Sequence, residues 1–433
     1  MDVIAVAVVF LTITAIIVAP IAKGVVAFVG LLILHMLSKN YSLLSLAEYI
    51  DWDVLLVLLG TWIIINYMAK SNLPNYIAQR VLQRFKRADV AILVIAIVSG
   101  LISTFLANVQ VVLLFAPIAM VLGELIGVDP LKASMIVALA ANYMGTALML
   151  GDLPPLLLHS VGGAEFFDFI VFRGRPGSFF VLLTSFILSI MLFYRLWFGR
   201  RASDVVTSGV GIESGKLDKF LAIASIVGLA SLMTLAAFRP LVGLPLGVLA
   251  IVVGMVTALA VEIYKHCFND DAPSFDEVLK DVEWETMALY ALLFSLTGAL
   301  ERAGFFEDVA KSAAGLLLQS PVTAYTLLYW LTTVLCMFVE HDAFLLIMLY
   351  MVKDMALLYG LDPWPYYWGL AWSATLGSNA TISAAPTLYL ALVLAEKRSG
   401  RKRHWKEWLK ITLPFTLVSS AINFAISIPV LFL

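Results

Sequence analysis

Charge is scarce in this sequence: 13% of its 433 residues are charged, where a soluble domain carries about 25%. A chain so poor in ionic groups does not fold with most of its surface in water. Cysteine is nearly missing, and Cys267 and Cys336 lie too far apart to suggest a disulfide framework or a zinc-ligand spacing. The net charge is −2 and there is no long basic tail, so nothing points to a nucleic-acid partner. No HExxH or GxSxG pattern occurs, which leaves an intramembrane enzyme built on His159 and His341 as a remote alternative; the expectation is no enzyme. No Walker motif occurs either. Energy for any pumping therefore comes from an ion gradient or a separate ATPase subunit. Asp2 to Pro20 lacks the basic start of a cleaved leader and reads as a retained span.

Hydrophobic residues, by contrast, make up 62% of the chain. A bilayer core of about 30 Å takes roughly 20 apolar residues per helical crossing, and runs of that length recur throughout. They are too long for barrel strands, so the fold class is an all-α, polytopic membrane protein. Uninterrupted runs fall near 2–22, 24–38, 53–69, 177–198, 218–238, 242–264, 285–300 and 410–432. Two amphipathic pieces lie near 75–85 and 305–318. Four longer stretches are broken by polar or helix-breaking residues: 88–126, 131–164, 321–358 and 364–395.

The two halves repeat. Asp51-Trp52-Asp53 precedes Glu283-Trp284-Glu285 by 232 positions, and at that spacing Lys70 maps to Arg302, Ala78 to Ala310 and Asn108 to Glu340. Residues 1–44 are then N-terminal spans, 45–198 a first repeat, 199–282 central spans with a linker, and 283–433 a second repeat. Residues 70–87 carry Lys70, Arg80, Arg84, Lys86 and Arg87 with no acid, which the positive-inside rule places in the cytoplasm. Their counterpart 301–311 mixes both signs and suits the outside. If 88–126 and 321–358 are re-entrant hairpins, the repeats are inverted, with about ten full spans and two hairpins. The acidic loop 265–285 fits this sidedness poorly, although acids weigh little in the rule.

Inverted repeats with broken helices are a transporter pattern, because the freed backbone groups and exposed helix ends make an ion site near mid-membrane. Candidate ligands at the breaks are Asn108, Asn142, Thr146, Asn379 and Thr381 for cargo. Asp152, Glu340, His341 and Asp342 are the candidates for a coupling proton or cation, since ionisable groups at depth usually face a pathway or a partner. Consecutive residues such as Glu340-His341-Asp342 rarely converge on one metal ion, so no metal site is expected. Neither is a cofactor, beyond coupling to H+ or Na+.

Asn142, Gly145, Thr146, Gly151, Asp152, Pro154 and Pro155, followed by Phe166-Phe167-Asp168-Phe169, resemble the "SNxGGTATLIGDPPN…FxDF" stretch of the arsenite-permease/NhaD-type permeases. That family belongs to the citrate-transporter-like ion transporter superfamily. Gly377-Ser378-Asn379-Ala380-Thr381 is similar to its second-half "GGNGTLIG" motif, and the resemblance covers roughly residues 45–415. It implies a multi-pass plasma-membrane protein, commonly a homodimer among lipids, that moves a small ion by an elevator-like alternating-access mechanism. Ala107-Asn108 stands where sodium–proton members show Asp-Asn. This ranks an inorganic anion or arsenite/antimonite-like cargo first, ahead of sodium–proton antiport, citrate-like carboxylate symport and an ion channel. His341, Asp342 and Ala384 also depart from the family pattern.

Overall fold

A computed structural model describes residues 2–18, 22–37, 40–84, 87–198, 216–317 and 320–433. Helices α1 (Val3–Val18) and α2 (Lys23–Leu37) form an N-terminal pair, followed by the short α3 (Leu43–Ala47). The first repeating set comprises α4 (Trp52–Lys70), α5 (Leu73–Arg84), α6 (Ala88–Ser103), α7 (Asn108–Leu125), α8 (Pro130–Met144), α9 (Leu153–Gly162) and α10 (Ser178–Phe198). A two-residue hairpin, β1 (Val171–Phe172) with β2 (Arg175–Pro176), precedes α10. The centre holds α11 (Lys219–Ala237), α12 (Arg239–Val242), α13 (Leu246–Phe268) and α14 (Phe275–Lys280). The second set is α15 (Trp284–Arg302), α16 (Phe305–Leu317), α17 (Pro321–Leu335), α18 (His341–Tyr359), α19 (Trp364–Ser378), α20 (Pro386–Ser399) and α21 (Trp405–Phe432). The expected linker is thus largely helical, because α13 continues to Phe268 and Ser274 caps α14. Residues 199–215 of the central segment, and Phe85 and Lys86 of the basic one, lie outside the described residues.

Helix ends follow local chemistry. Asp51 caps α4 by accepting from Val54 N at 3.1 Å, and Asp129 caps α8, whose first residue is proline. Both use side-chain oxygen to satisfy amides that a helix leaves open. The sequence spacing of 232 recurs in the helix bounds: Trp52 and Lys70 end α4 as Trp284 and Arg302 end α15. Six described helices are long and apolar enough to cross a membrane: α4, α7, α10, α11, α13 and α21. Helices α1, α2 and α6 are shorter apolar pieces. Although α7 has the length, its first residue lies beside the central cavity, as a hairpin limb requires.

The two interrupted helices run in opposite directions. Ser134 near the start of α8 donates to Ala391 O in α20 at 3.1 Å, while Asn142 near the end of α8 donates to Ser378 Oγ at the end of α19 at 3.0 Å. At the far side, Gly162 at the end of α9 packs against the Tyr367 ring at the start of α19. The path α8–break–α9 therefore travels from the level of residue 391 to that of 367, and α19–break–α20 makes the reverse journey. Inversion is visible in these contacts without reference to lipid.

One end of the molecule is basic. The outer ends of α6 and α7 meet there, with Arg87 beside Asp89, Arg398 on Glu124 at 2.7 Å and Arg403 on Asp129 at 2.7 Å. Lys70 joins Asp281 at 2.7 Å at this end, so α4 finishes where α15 begins. The opposite end holds Arg173 with Asp362, at 2.5 Å, and Arg239 with Glu165. The positive-inside rule assigns the first end to the cytoplasm.

Candidate functional site

Each hairpin nests its tip against the break of the following helix, and glycine makes room for it. A Cβ on Gly145 would lie 2.6 Å from Asn108 Oδ1, and one on Gly151 would lie 2.3 Å from Gly145 O. In the second half, a Cβ on Gly377 would lie 2.4 Å from Thr333 O. Gly145 and Gly377 are again 232 positions apart. At Gly151 and Gly377 main chain approaches main chain, which only glycine allows, whereas Gly145 makes room for the Asn108 side chain.

A cavity of about 170 Å³ opens where the breaks meet. Asn108, Asn142, Asp152, Glu340, His341 and Asp342 line it, together with Tyr290. It extends to Glu283 and Thr286 at the start of α15, the end where Lys70 meets Asp281, and so it points to the basic end. Asn108 Nδ2 donates to Asp152 Oδ2 at 2.6 Å, and Asn108 Oδ1 accepts from Ser103 Oγ. Tyr290 OH donates to Asp342 Oδ2 at 2.8 Å. Glu340 pairs with the Lys23 ammonium.

Thr146, Asn379 and Thr381 are placed differently. Thr146 Oγ1 bonds Thr375 Oγ1 at 2.6 Å, Asn379 Oδ1 accepts from Asn142 Nδ2 at 3.1 Å, and Thr381 Oγ1 donates to Met337 O at 2.5 Å. They tie the broken helices to each other and to the second hairpin, and they do not line the cavity.

Glu340 is extended and ends the hairpin tip, and His341 and Asp342 form the first turn of α18. That bend brings one donor atom from each of the three within 4.8 Å of the others, a convergence that consecutive positions rarely achieve. His341 Nε2 lies 3.3 Å from Asp342 Oδ1. Among the described residues Asp342 Oδ1 has no well-formed hydrogen bond, and the His341 ring faces that carboxylate and the Ala384 main chain. Buried polar atoms are normally satisfied, so an unsatisfied carboxylate oxygen at a cavity is what an ion- or ligand-binding site leaves.

Four helices begin at this cavity, since Asn108, Leu153, His341 and Pro386 all line it. A helix start carries roughly half a positive charge and open N–H groups. Acids precede two of the four, Asp152 before α9 and Glu340 before α18, and alanines the other two, Ala107 before α7 and Ala385 before α20; only Asp152 accepts from its own helix start, at Leu153 N, and Glu340 turns to Lys23 instead.

Sequence reasoning missed Lys23, Tyr290, Glu283 and Thr286. Lys23 offered one signal, as a lone cation between two apolar runs. Glu283 was visible only as half of the repeated acid-Trp-acid marker, while Tyr290 and Thr286 are ordinary residues of an apolar run.

Comparison with known proteins supplies the context. A family model described as citrate transporter matches residues 13–377. Two uncharacterised transporters of Mycobacterium tuberculosis are similar to the chain. One is 26% identical over 378 residues, covering 86% of each chain, and the other 24% identical over 409 residues, covering 92% of each. The P protein of Mus musculus is 23% identical over 477 residues, spanning 92% of this chain and 56% of that protein. The crystal structure of the Alcanivorax borkumensis YdaH transporter superposes with a TM-score of 0.60 at 17% identity, over 87% of this chain and 84% of that one, a likeness of fold.

Proposed function

Because the chain belongs to the citrate transporter family, we propose that it is a cation-coupled carrier of a small carboxylate anion. It is a multi-pass membrane transporter of the plasma membrane. The observation that carries the proposal is that four helix starts meet at one cavity, two preceded by acids and two by alanines, and that three of the four have no side-chain cap. The carboxylates of Asp152 and Glu340, with Asp342 and His341 beside Glu340, attract a proton or sodium ion. Alanine caps at α7 and α20 leave amides without a side-chain acceptor, a ready site for a carboxylate.

Charge explains why the two must travel together. Among the described residues, Lys23 is the one permanent cation bonded to the group of Asp152, Glu340 and Asp342, and His341 lies between the last two. An anion entering alone meets a surplus of negative charge. One that enters with a cation does not, so the cation gradient drives the anion. Asn108 joins the two functions, since its amide is held by Asp152 and it opens α7. We read 45–198 and 283–433 as a duplicated, inverted unit that moves its broken helices past α4 and α15 in an elevator-like step, within a homodimer.

A second reading, sodium–proton exchange without an anion, draws on the same surplus of acids. Reconstitution separates them. Purified protein in liposomes is expected to accumulate labelled citrate or a related di- or tricarboxylate when a sodium or pH gradient is imposed. Sodium–proton exchange with no carboxylate dependence selects the second reading. Gradient-driven uptake of arsenite, in preference to carboxylates, moves the cargo to an uncharged oxyacid and overturns the first.

A further inference from the structure

The duplication breaks at the cavity in an informative way. In the first half an amide at the hairpin tip, Asn108, bonds the acid that caps the following helix, Asp152. In the second half the acid is at the tip, Glu340, and the equivalent cap is Ala385. Among the described residues no amide takes the place of Asn108 there, and within its own repeat Glu340 meets the His341 ring, at 4.0 Å. Its partner comes from outside both repeats: Lys23, the first residue of α2. The glutamate side chain is 10% exposed and the lysine 36%, so the ammonium reaches Glu340 from the more exposed side.

Lys23 and Glu340 sit on different elements, α2 and the second hairpin. Helix α2 packs on α15, where Gly24 sits against the backbone of Glu285 and Leu289, close to the Glu283 and Thr286 that line the cavity toward the basic end. Glu340 belongs to the hairpin that nests on the broken helix through Thr381 and Gly377. A carrier whose hairpins and broken helices move relative to α15 cannot keep the pair together in both of its states.

We propose that Lys23 is a tethered competitor for the coupling cation. When the site is open to the basic, cytoplasmic end, the Lys23 ammonium occupies the position at Glu340 that the incoming cation holds, and so expels it on that side alone. When the site turns to the other face, Glu340 leaves Lys23 behind and binds the cation unopposed. A tethered ammonium acts at an effective concentration in the millimolar range or above, enough to displace a weakly held ion. This inference rests on the cation-coupled reading and adds a sided release device to it.

The test uses the full chain in proteoliposomes, with labelled citrate as anion and sodium or an imposed pH gradient as cation. Half-saturating cation concentration is measured separately at each face. Lys23→Met is expected to tighten cation binding at the cytoplasmic face tenfold or more and to leave the outer face within twofold. Net uptake slows because release slows, while citrate–citrate exchange persists. Lys23→Arg restores the asymmetry, and Lys23→Met has no further effect in a Glu340→Gln background. Equal shifts at both faces, no shift, or a Lys23→Met effect that persists without Glu340 overturns the proposal. Wild-type protein that moves citrate with no cation dependence instead overturns the reading beneath it, a result distinct from a failure of Lys23 alone.

Discussion

Gly151→Ala is a one-carbon change with a large expected effect. The new Cβ would lie 2.3 Å from Gly145 O, 2.8 Å from Thr104 O and 3.1 Å from Ser103 O, and all three are main-chain atoms that no side-chain rotation can clear. To restore an ordinary carbon–oxygen contact the hairpin tip and the broken helix must part by roughly 1 Å. That separation falls on the 2.6 Å bond from Asn108 to Asp152. Overpacking of this kind costs about 1–3 kcal/mol in stability, and loss of a bond to a charged group costs about 1.5–3 kcal/mol more. The second contribution falls on the binding site, and converts to roughly ten- to a hundredfold weaker cation affinity. The assay is the cation dependence of citrate uptake in proteoliposomes, beside the Tm of purified protein. Gly315→Ala is the control, since its Cβ would meet nothing within 4 Å. Wild-type KM in Gly151→Ala would refute the claim that hairpin tip and broken helix form the site by close backbone approach.

Other perturbations test separate links. Asn108→Asp sets a second carboxylate within 2.6 Å of Asp152, and two such groups cannot both stay ionised. One must hold a proton, so flux in this variant is expected to fall steeply as pH rises relative to wild type, read from a pH profile of uptake. Gly60→Ala drives a Cβ to 2.3 Å from the Ala250 carbonyl group, where α4 crosses α13. Its Tm should drop, by about 1–3 kcal/mol of stability, with the cation KM kept, because this crossing lies away from the bonds around Asp152. Cysteines at Ser134 and Ala391 should form a disulfide under a membrane-permeant oxidant, since Ser134 Oγ lies 3.1 Å from Ala391 O and both residues are buried. Failure to crosslink contradicts the antiparallel course of the broken helices.

The sequence carried the large-scale plan because membrane chains write it plainly. A break inside an apolar run, as at Gly145 or Gly377, is conspicuous when its surroundings are uniformly hydrophobic, and the acid-Trp-acid markers set the 232-residue register that α4 and α15 share. Partner choice inside the site was not legible. Whether Thr146, Asn379 and Thr381 face the cavity or their neighbours depends on how two breaks dock, which composition does not encode. The convergence of Glu340, His341 and Asp342 required the extended backbone of Glu340 just before α18. Lys23 could not be assigned at all, because the contact to Glu340 spans 317 positions. The expectation of an inorganic anion leaned on Ala107-Asn108; the structure shows Ala107 leaving the start of α7 uncapped, a feature equally fit for a carboxylate.

The most direct test of the account is the ratio of cation to anion moved, measured in the same vesicles for wild type, Asp152→Asn and Glu340→Gln. If these acids hold the driving cation, both variants lose accumulation against a gradient while retaining some downhill citrate exchange. Accumulation at the wild-type ratio in both variants would contradict it.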